Sequence, residues 1–174
     1  MSEFSTGLWD SLVSLYKSHG GSKSIFASGY FWLALVVCVF CWPTVAEGSW
    51  TSFAQSALPT LAGFSIAAFA IIFAVLSDVE RRALSAPDER LGGRSPFLVL
   101  TSAIGHAMVT QMFALLYSLI YEAKPFPNIL NIEHVNVLNI ALSGIGFLLT
   151  VYGVVLILAS VLSIYRILEI KARI

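Results

Sequence analysis

Residues 56–77 read SALPTLAGFSIAAFAIIFAVLS and contain no charged side chain. About 20 apolar residues, each rising 1.5 Å along a helix, cross the roughly 30 Å hydrocarbon core of a bilayer, so this run is long enough to span one. Within it, Gly63, Ala67, Ala70 and Ala74 recur at helical spacing on one face, while Phe64, Ile66, Phe69, Ile71, Ile72 and Phe73 lie mostly around the rest. Small faces let helices approach closely in lipid, where no hydrophobic drive separates helix from solvent. The run is therefore expected to be an inner packing element of a helix bundle. Asp78-Val79-Glu80-Arg81-Arg82 follows it as an abrupt return to water.

The rest of the chain supports a membrane setting. It is 57% hydrophobic and 11% charged, with a mean hydropathy of +0.84, whereas a soluble domain carries about 25% charged residues. The expected fold is an all-α membrane protein of four transmembrane helices in sequential antiparallel hairpins, at residues 25–42, 53–77, 97–121 and 137–165. Residues 1–23 form an amphipathic interfacial segment before the 24–174 membrane domain, with Trp9 and Tyr16 at headgroup level. They lack the basic start and continuous apolar core of a signal peptide. Pro43 is expected to end the first span and a short loop to follow, bracketed by Trp42 and Trp50 as interfacial anchors. Pro59 is expected to kink the second helix or to mark where regular helix begins, and the helix should run on into water as far as Ser85.

Charge placement sets the orientation. Lys17, Lys23, Arg81, Arg82, Arg90, Arg94, Arg166, Lys171 and Arg173 fall on one side of this plan and Lys124 alone on the other, a split of nine to one among ten basic residues. The positive-inside rule then puts both termini and the central loop in the cytoplasm of a multi-pass bacterial inner-membrane protein.

Few residues carry chemistry. His106 sits near the middle of the third span, with Ser102 and Thr110 one turn to either side and Gln111 adjacent. An ionisable group at that depth is a candidate proton relay, pore gate or ligand contact. No Asp, Glu, Lys or Arg lies inside a span to pair with it, which favours a neutral imidazole hydrogen-bonded to a neighbouring helix. Cys38 and Cys41 form C-x-x-C in an apolar setting. A four-helix thiol oxidoreductase needs a second cysteine pair and a metal site needs more ligands, so both read as buried small hydrophobes. No metal site and no cofactor are expected, and no phosphate loop, hydrolase elbow, metalloprotease helix, nucleic-acid motif or inverted repeat is recognisable. Ser143, Gly146, Thr150, Gly153 and Ser160 line the fourth span at three-four spacing, and Ala103, Ala107, Ala114 and Ser118 line the third. Three smooth faces exceed what one bundle core absorbs, so a homo-oligomer is expected, with a tetramer as the working number.

The string L-P-x-L-x-G-F-S at residues 58–65, followed by an Ala/Phe/Ile run and then acidic and basic residues, resembles small four-helix membrane proteins that accompany bacterial anti-phage defence operons. The overall plan is similar to the KwaA-type membrane subunits of the Kiwa defence system. That resemblance implies an inner-membrane homo-oligomer that senses phage-induced membrane disturbance and works with a cytosolic DNA-binding partner; it carries over no catalytic residue. The function expected is a non-enzymatic membrane sensor or scaffold. It oligomerises through Gly63, Ala67, Ala70, Ala74, Gly146 and Gly153. Arg81, Arg82, Arg90, Arg94, Arg166, Lys171 and Arg173 meet lipid or a cytosolic protein partner, and no nucleic acid is bound directly. The alternative is a small channel or pore-forming effector lined by Ser102, His106, Thr110 and Gln111.

Overall fold

The structure, a computed structural model, describes residues 7–123 and 133–171. The expected loop around Lys124 and the tail residue Arg173 lie outside the described residues, as do the side chains of Arg90 and Lys171. The described chain is helical: α1 (Gly7–His19), α2 (Gly21–Ala27), α3 (Gly29–Phe40), α4 (Trp42–Glu47), α5 (Trp50–Val75), α6 (Asp78–Ser85), α7 (Pro96–Glu122) and α8 (Glu133–Lys171), with a short 3-10 turn at Glu89–Leu91. Three of these helices are long and apolar enough to cross a membrane, within Trp50–Val75, Pro96–Glu122 and Val137–Glu169. A fourth crossing is available only if the bent pair α2 and α3 is counted as one.

The first apolar stretch is broken where a single helix was expected. Ser28 leaves helical geometry at φ −76°, ψ 129°, and its Oγ accepts the Tyr30 amide at 3.2 Å, which starts α3 afresh. A serine that can cap, followed by a glycine, makes a new helix start cheap. The axis turns by 57° there. Pro43 is likewise a start and not a stop: it occupies the first turn of α4, where its missing N–H costs nothing. Most of the loop expected between the first two spans is thus helical. Pro59 lies inside α5, which runs through it from Trp50 to Val75.

The continuation of α5 to Ser85 is also corrected. The helix stops at Val75, Leu76 is extended, and Ser77 caps a separate α6 through a capping box with Glu80. Ser77 Oγ accepts the Glu80 amide at 3.3 Å, and the Ser77 amide donates to the Glu80 carboxylate at 2.7 Å. Two orphan donors are satisfied reciprocally, so a change of direction costs little. This predicts that Ser77→Ala costs about 1 kcal/mol and acts locally. Amide exchange should accelerate at Asp78–Ser85 and stay unchanged in the middle of α7; uniform acceleration would refute the local role.

α7 is the hub, packing against α5 on one side, α8 on the other, and α1 and α6 near its start; α3 lies on α8. The buried share of the apolar stretch rises from 28% on α5 to 44% on α7 and 56% on α8. One core surrounds Trp50, Leu58, Ala107, Ala114, Tyr152 and Leu156. A second, at the other end, joins Ile72, Leu84, Leu100, Ile104 and Ile167 and fastens α6 to the long helices. α1, expected at the bilayer surface, packs on α7 with Leu15 over Gly105, where a Cβ would come 2.9 Å from the leucine methyl.

α5 presents the face opposite to the one expected. Trp50, Ala54, Leu58, Ala62, Ser65, Ala68 and Ile72 are buried. Gly63, Ala67, Ala70 and Ala74 are all exposed, and a Cβ at Gly63 would meet nothing within 4 Å. The buried face also holds small residues, Ala54, Ala62, Ser65 and Ala68, and it was these that met α7 and α8.

Candidate functional site

A polar seam ties the three long helices together. Gln111 of α7 is fully buried, with 0% exposure. Its Nε2 donates to the Gly153 carbonyl of α8 at 3.0 Å, and its Oε1 accepts from Ser65 Oγ of α5 at 3.0 Å. Glycine at 153 brings the α8 backbone within reach, since a Cβ there would press to 3.3 Å on Gln111 Cγ. One amide therefore spends donor and acceptor on two different helices, and a buried amide left unpaired among apolar residues would be costly. Closer to the start of α7, His106 Nε2 lies 3.1 Å from the Tyr152 hydroxyl, with the rings edge to face at 5.9 Å. Tyr152 also meets Phe31 of α3 edge to face at 6.0 Å. His106 is thus held between helices by a neighbouring side chain, as the structural reading of that histidine anticipates.

An aromatic plug closes the end of the bundle towards the C-terminus of α7. Trp50, expected at the membrane interface, is 1% exposed. Its Nε1 donates to Ser143 Oγ at 2.8 Å, and Ser143 donates in turn to the Val45 carbonyl at 2.6 Å. The indole stacks on Tyr117, centroids 6.4 Å apart, and tilts against Tyr121 at 5.5 Å. Gly146 lies under it, so the ring rests on bare α8 backbone. Thr51 donates to the Glu122 carboxylate beside the plug. Trp42, by contrast, remains exposed. Trp50 is inside because Ser143 supplies the partner its N–H needs when buried.

The four residues expected to line a pore do not share an open surface in the described chain. Ser102 Oγ donates to its own helix at the Val99 carbonyl, 3.0 Å, and flanks a cleft against α1. His106 turns to Tyr152, Thr110 is buried, and Gln111 is sealed between α5 and α8. Of the packing glycines, Gly146 and Gly153 lie in helix contacts and Gly63 does not. Among the basic residues, Arg81 pairs with Asp78, and Arg94, though exposed, is engaged by backbone carbonyls of this chain. Its guanidinium donates to the Leu91 carbonyl at 3.2 Å and to the Ser18 carbonyl at 3.2 Å, at the end of α1, where helix carbonyls lack partners. Arg82 and Arg166 are exposed. Cys38 and Cys41 are free, half-buried thiols against the first core. Among the described residues no group of three His, Cys, Asp or Glu converges.

Sequence reasoning missed Ser65, Tyr152 and the interior role of Trp50, and it named Ser143 as a packing residue without its hydrogen bonds to Trp50 and Val45. Ser65 carried a usable signal, as a lone hydroxyl deep in an uncharged helix facing a chain with a mid-span Gln. Tyr152 carried none, since tyrosine is equally at home at an interface.

Fold and seam together define a class: an all-helical protein whose three long helices are apolar enough to span a bilayer and are cross-linked by buried polar side chains. No family, curated protein or solved structure matches the chain.

Proposed function

We propose that this chain is a non-enzymatic sensor or scaffold of the bacterial inner membrane that self-associates and recruits a cytosolic protein. In this reading α2 and α3 together make a fourth, bent crossing, successive crossings alternate in direction, and both termini face the cytoplasm. The nine-to-one placement of basic residues supports that orientation. One observation carries the self-association. The strip Gly63, Ala67, Ala70 and Ala74 is exposed along α5, while the glycines of α8 are already used inside the chain. A second copy would cover the strip at close range, the contact on which helix association in lipid depends. The partner would dock on the loop between α5 and α7, through Arg82 and Arg90, and on the tail after α8. The resemblance to Kiwa-type subunits supports a setting in antiviral defence. The channel reading has less support, because its lining residues turn towards different neighbours.

The test is the mass of the full chain in mild detergent. Gly63→Leu combined with Ala67→Leu should convert an oligomer to monomer while helicity and thermal stability stay as in the parent, because both positions face outward. An unchanged oligomer would sink the strip as the contact, and a parent that is itself monomeric would sink self-association.

A further inference from the structure

The bend at Ser28 has a spatial consequence. α2 and the start of α3 stand over one face of α8 with a cleft of about 380 Å³ between them. On α8 the cleft follows Tyr152, Leu156, Ala159, Ser163 and Arg166, one helical stripe roughly 21 Å long at 1.5 Å per residue. Arg166 is exposed at one end, and Tyr152, held by His106, is buried at the other. The cleft is therefore charged at its mouth, apolar along its length and closed by an aromatic ring.

Its polar groups are of one kind. Arg166 offers guanidinium donors, and Ser24, Ser28 and Tyr30 bring hydroxyls from the opposite wall. Ser28 uses its oxygen to accept the Tyr30 amide, which leaves its own O–H to donate. Ser163 is excluded as a donor, since its hydroxyl proton goes to the Ala159 carbonyl at 2.8 Å. Among the described residues no carboxylate lines the cleft. One arginine, three hydroxyl-bearing residues and no acid among the described lining suit a phosphate ester, which guanidinium binds in two-pronged fashion. The apolar stripe beyond it asks for hydrocarbon on the same molecule. At roughly 30 Å³ per water-sized group the cleft holds about a dozen such groups. That suffices for a phosphodiester, its glycerol and the first acyl carbons, with the remaining chains running out between helices.

We infer that the cleft between α2–α3 and α8 binds the headgroup of an anionic membrane phospholipid, with the phosphodiester at Arg166, Ser24 and Ser28 and the acyl carbons along Leu156 and Leu162. The inference rests on the membrane setting of the long helices and is independent of self-association.

Native mass spectrometry of the full chain tests it, with phosphatidylglycerol or phosphatidylcholine added to the detergent solution. The parent should retain phosphatidylglycerol in preference to phosphatidylcholine. Arg166→Gln should weaken phosphatidylglycerol retention about tenfold, the scale of one charge-assisted hydrogen-bonded contact, with phosphatidylcholine unaffected. Ala159→Phe, which fills the cleft and keeps the arginine, should lower retention as well. Equal retention of the two lipids by the parent, or undiminished phosphatidylglycerol on Arg166→Gln, would overturn the site. Millimolar inorganic phosphate that binds in an Arg166-dependent manner when phosphatidylglycerol does not would overturn the lipid assignment in favour of a soluble phosphate. Because lipid retention is read on whichever oligomer is present, failure of self-association is visible separately as mass.

Discussion

Gly146→Leu should leave little folded protein in detergent, and even Gly146→Ala should lower the thermal midpoint by several degrees. A Cβ at this position would lie 2.4 Å from Trp50 Cη2 and 2.6 Å from Tyr117 Cε1, closer than real Cβ atoms approach any neighbour. The rings have no easy retreat. Trp50 is pinned by its hydrogen bond to Ser143 and by the stack on Tyr117, and Tyr117 donates to the Leu142 carbonyl at 3.0 Å. Overpacking a tight site costs about 1–3 kcal/mol for a methyl or two, and a leucine adds more. At about 2–4 °C per kcal/mol for a chain of this size, alanine should lower the midpoint by about 2–12 °C. Gly63→Leu is the internal comparison, because a Cβ there meets nothing within 4 Å and the monomer should tolerate it. Equal midpoints for leucine at 146 and at 63 would show that the plug does not hold the bundle.

Gln111→Ala should destabilise by about 3 kcal/mol, from a side-chain cavity and two lost hydrogen bonds. Gln111→Leu, which nearly conserves volume, should cost about 1–2 kcal/mol, because interhelical hydrogen bonds within membranes are worth about 0.6–1.7 kcal/mol each. The bond to Ser65 and the bond to Gly153 run to different helices, so they can be separated. Ser65→Ala should remove only the first, and a double-mutant cycle of Ser65→Ala with Gln111→Leu should return a coupling of about 1 kcal/mol. Unfolding measured by denaturant in mixed micelles gives all four corners. Strict additivity would mean that the buried amide is satisfied elsewhere and that the seam is not a joint.

Parts of this arrangement could be read from the chain. The apolar cores of α5, α7 and α8 follow from runs free of charge, and the start of α7 from Ser95–Pro96, but α5 stops at Val75 short of the expected Ser85 and α8 runs from Glu133 to Lys171, past both ends of its expected span. The spacing of Gly146 and Gly153 marked a close-packed face, and both glycines lie in helix contacts. The choice of His106 as an interhelical hydrogen-bonder needed only its depth and the lack of a charged partner. Capping chemistry was equally present in Ser28-Gly29 and in Ser77 to Glu80, but it competes with continuing the helix, and composition does not say which wins. The breaks at those two points gave the bend and the separate α6.

The sequence by itself determined that these segments are helical and that three apolar runs are long enough to cross a bilayer, because those properties depend only on local hydrogen bonding and summed hydropathy. Which face of each helix turns inward was decided by the tertiary structure alone. α5 is apolar all round, so burying one face gains no more from hydropathy than burying another. The choice falls to shape and to single polar partners: Ser65 finding Gln111, Trp50 finding Ser143 over Gly146. Such matches exist only between helices: a lone hydroxyl such as Ser65 can be noticed in its own helix, but which partner it meets is set by the packing.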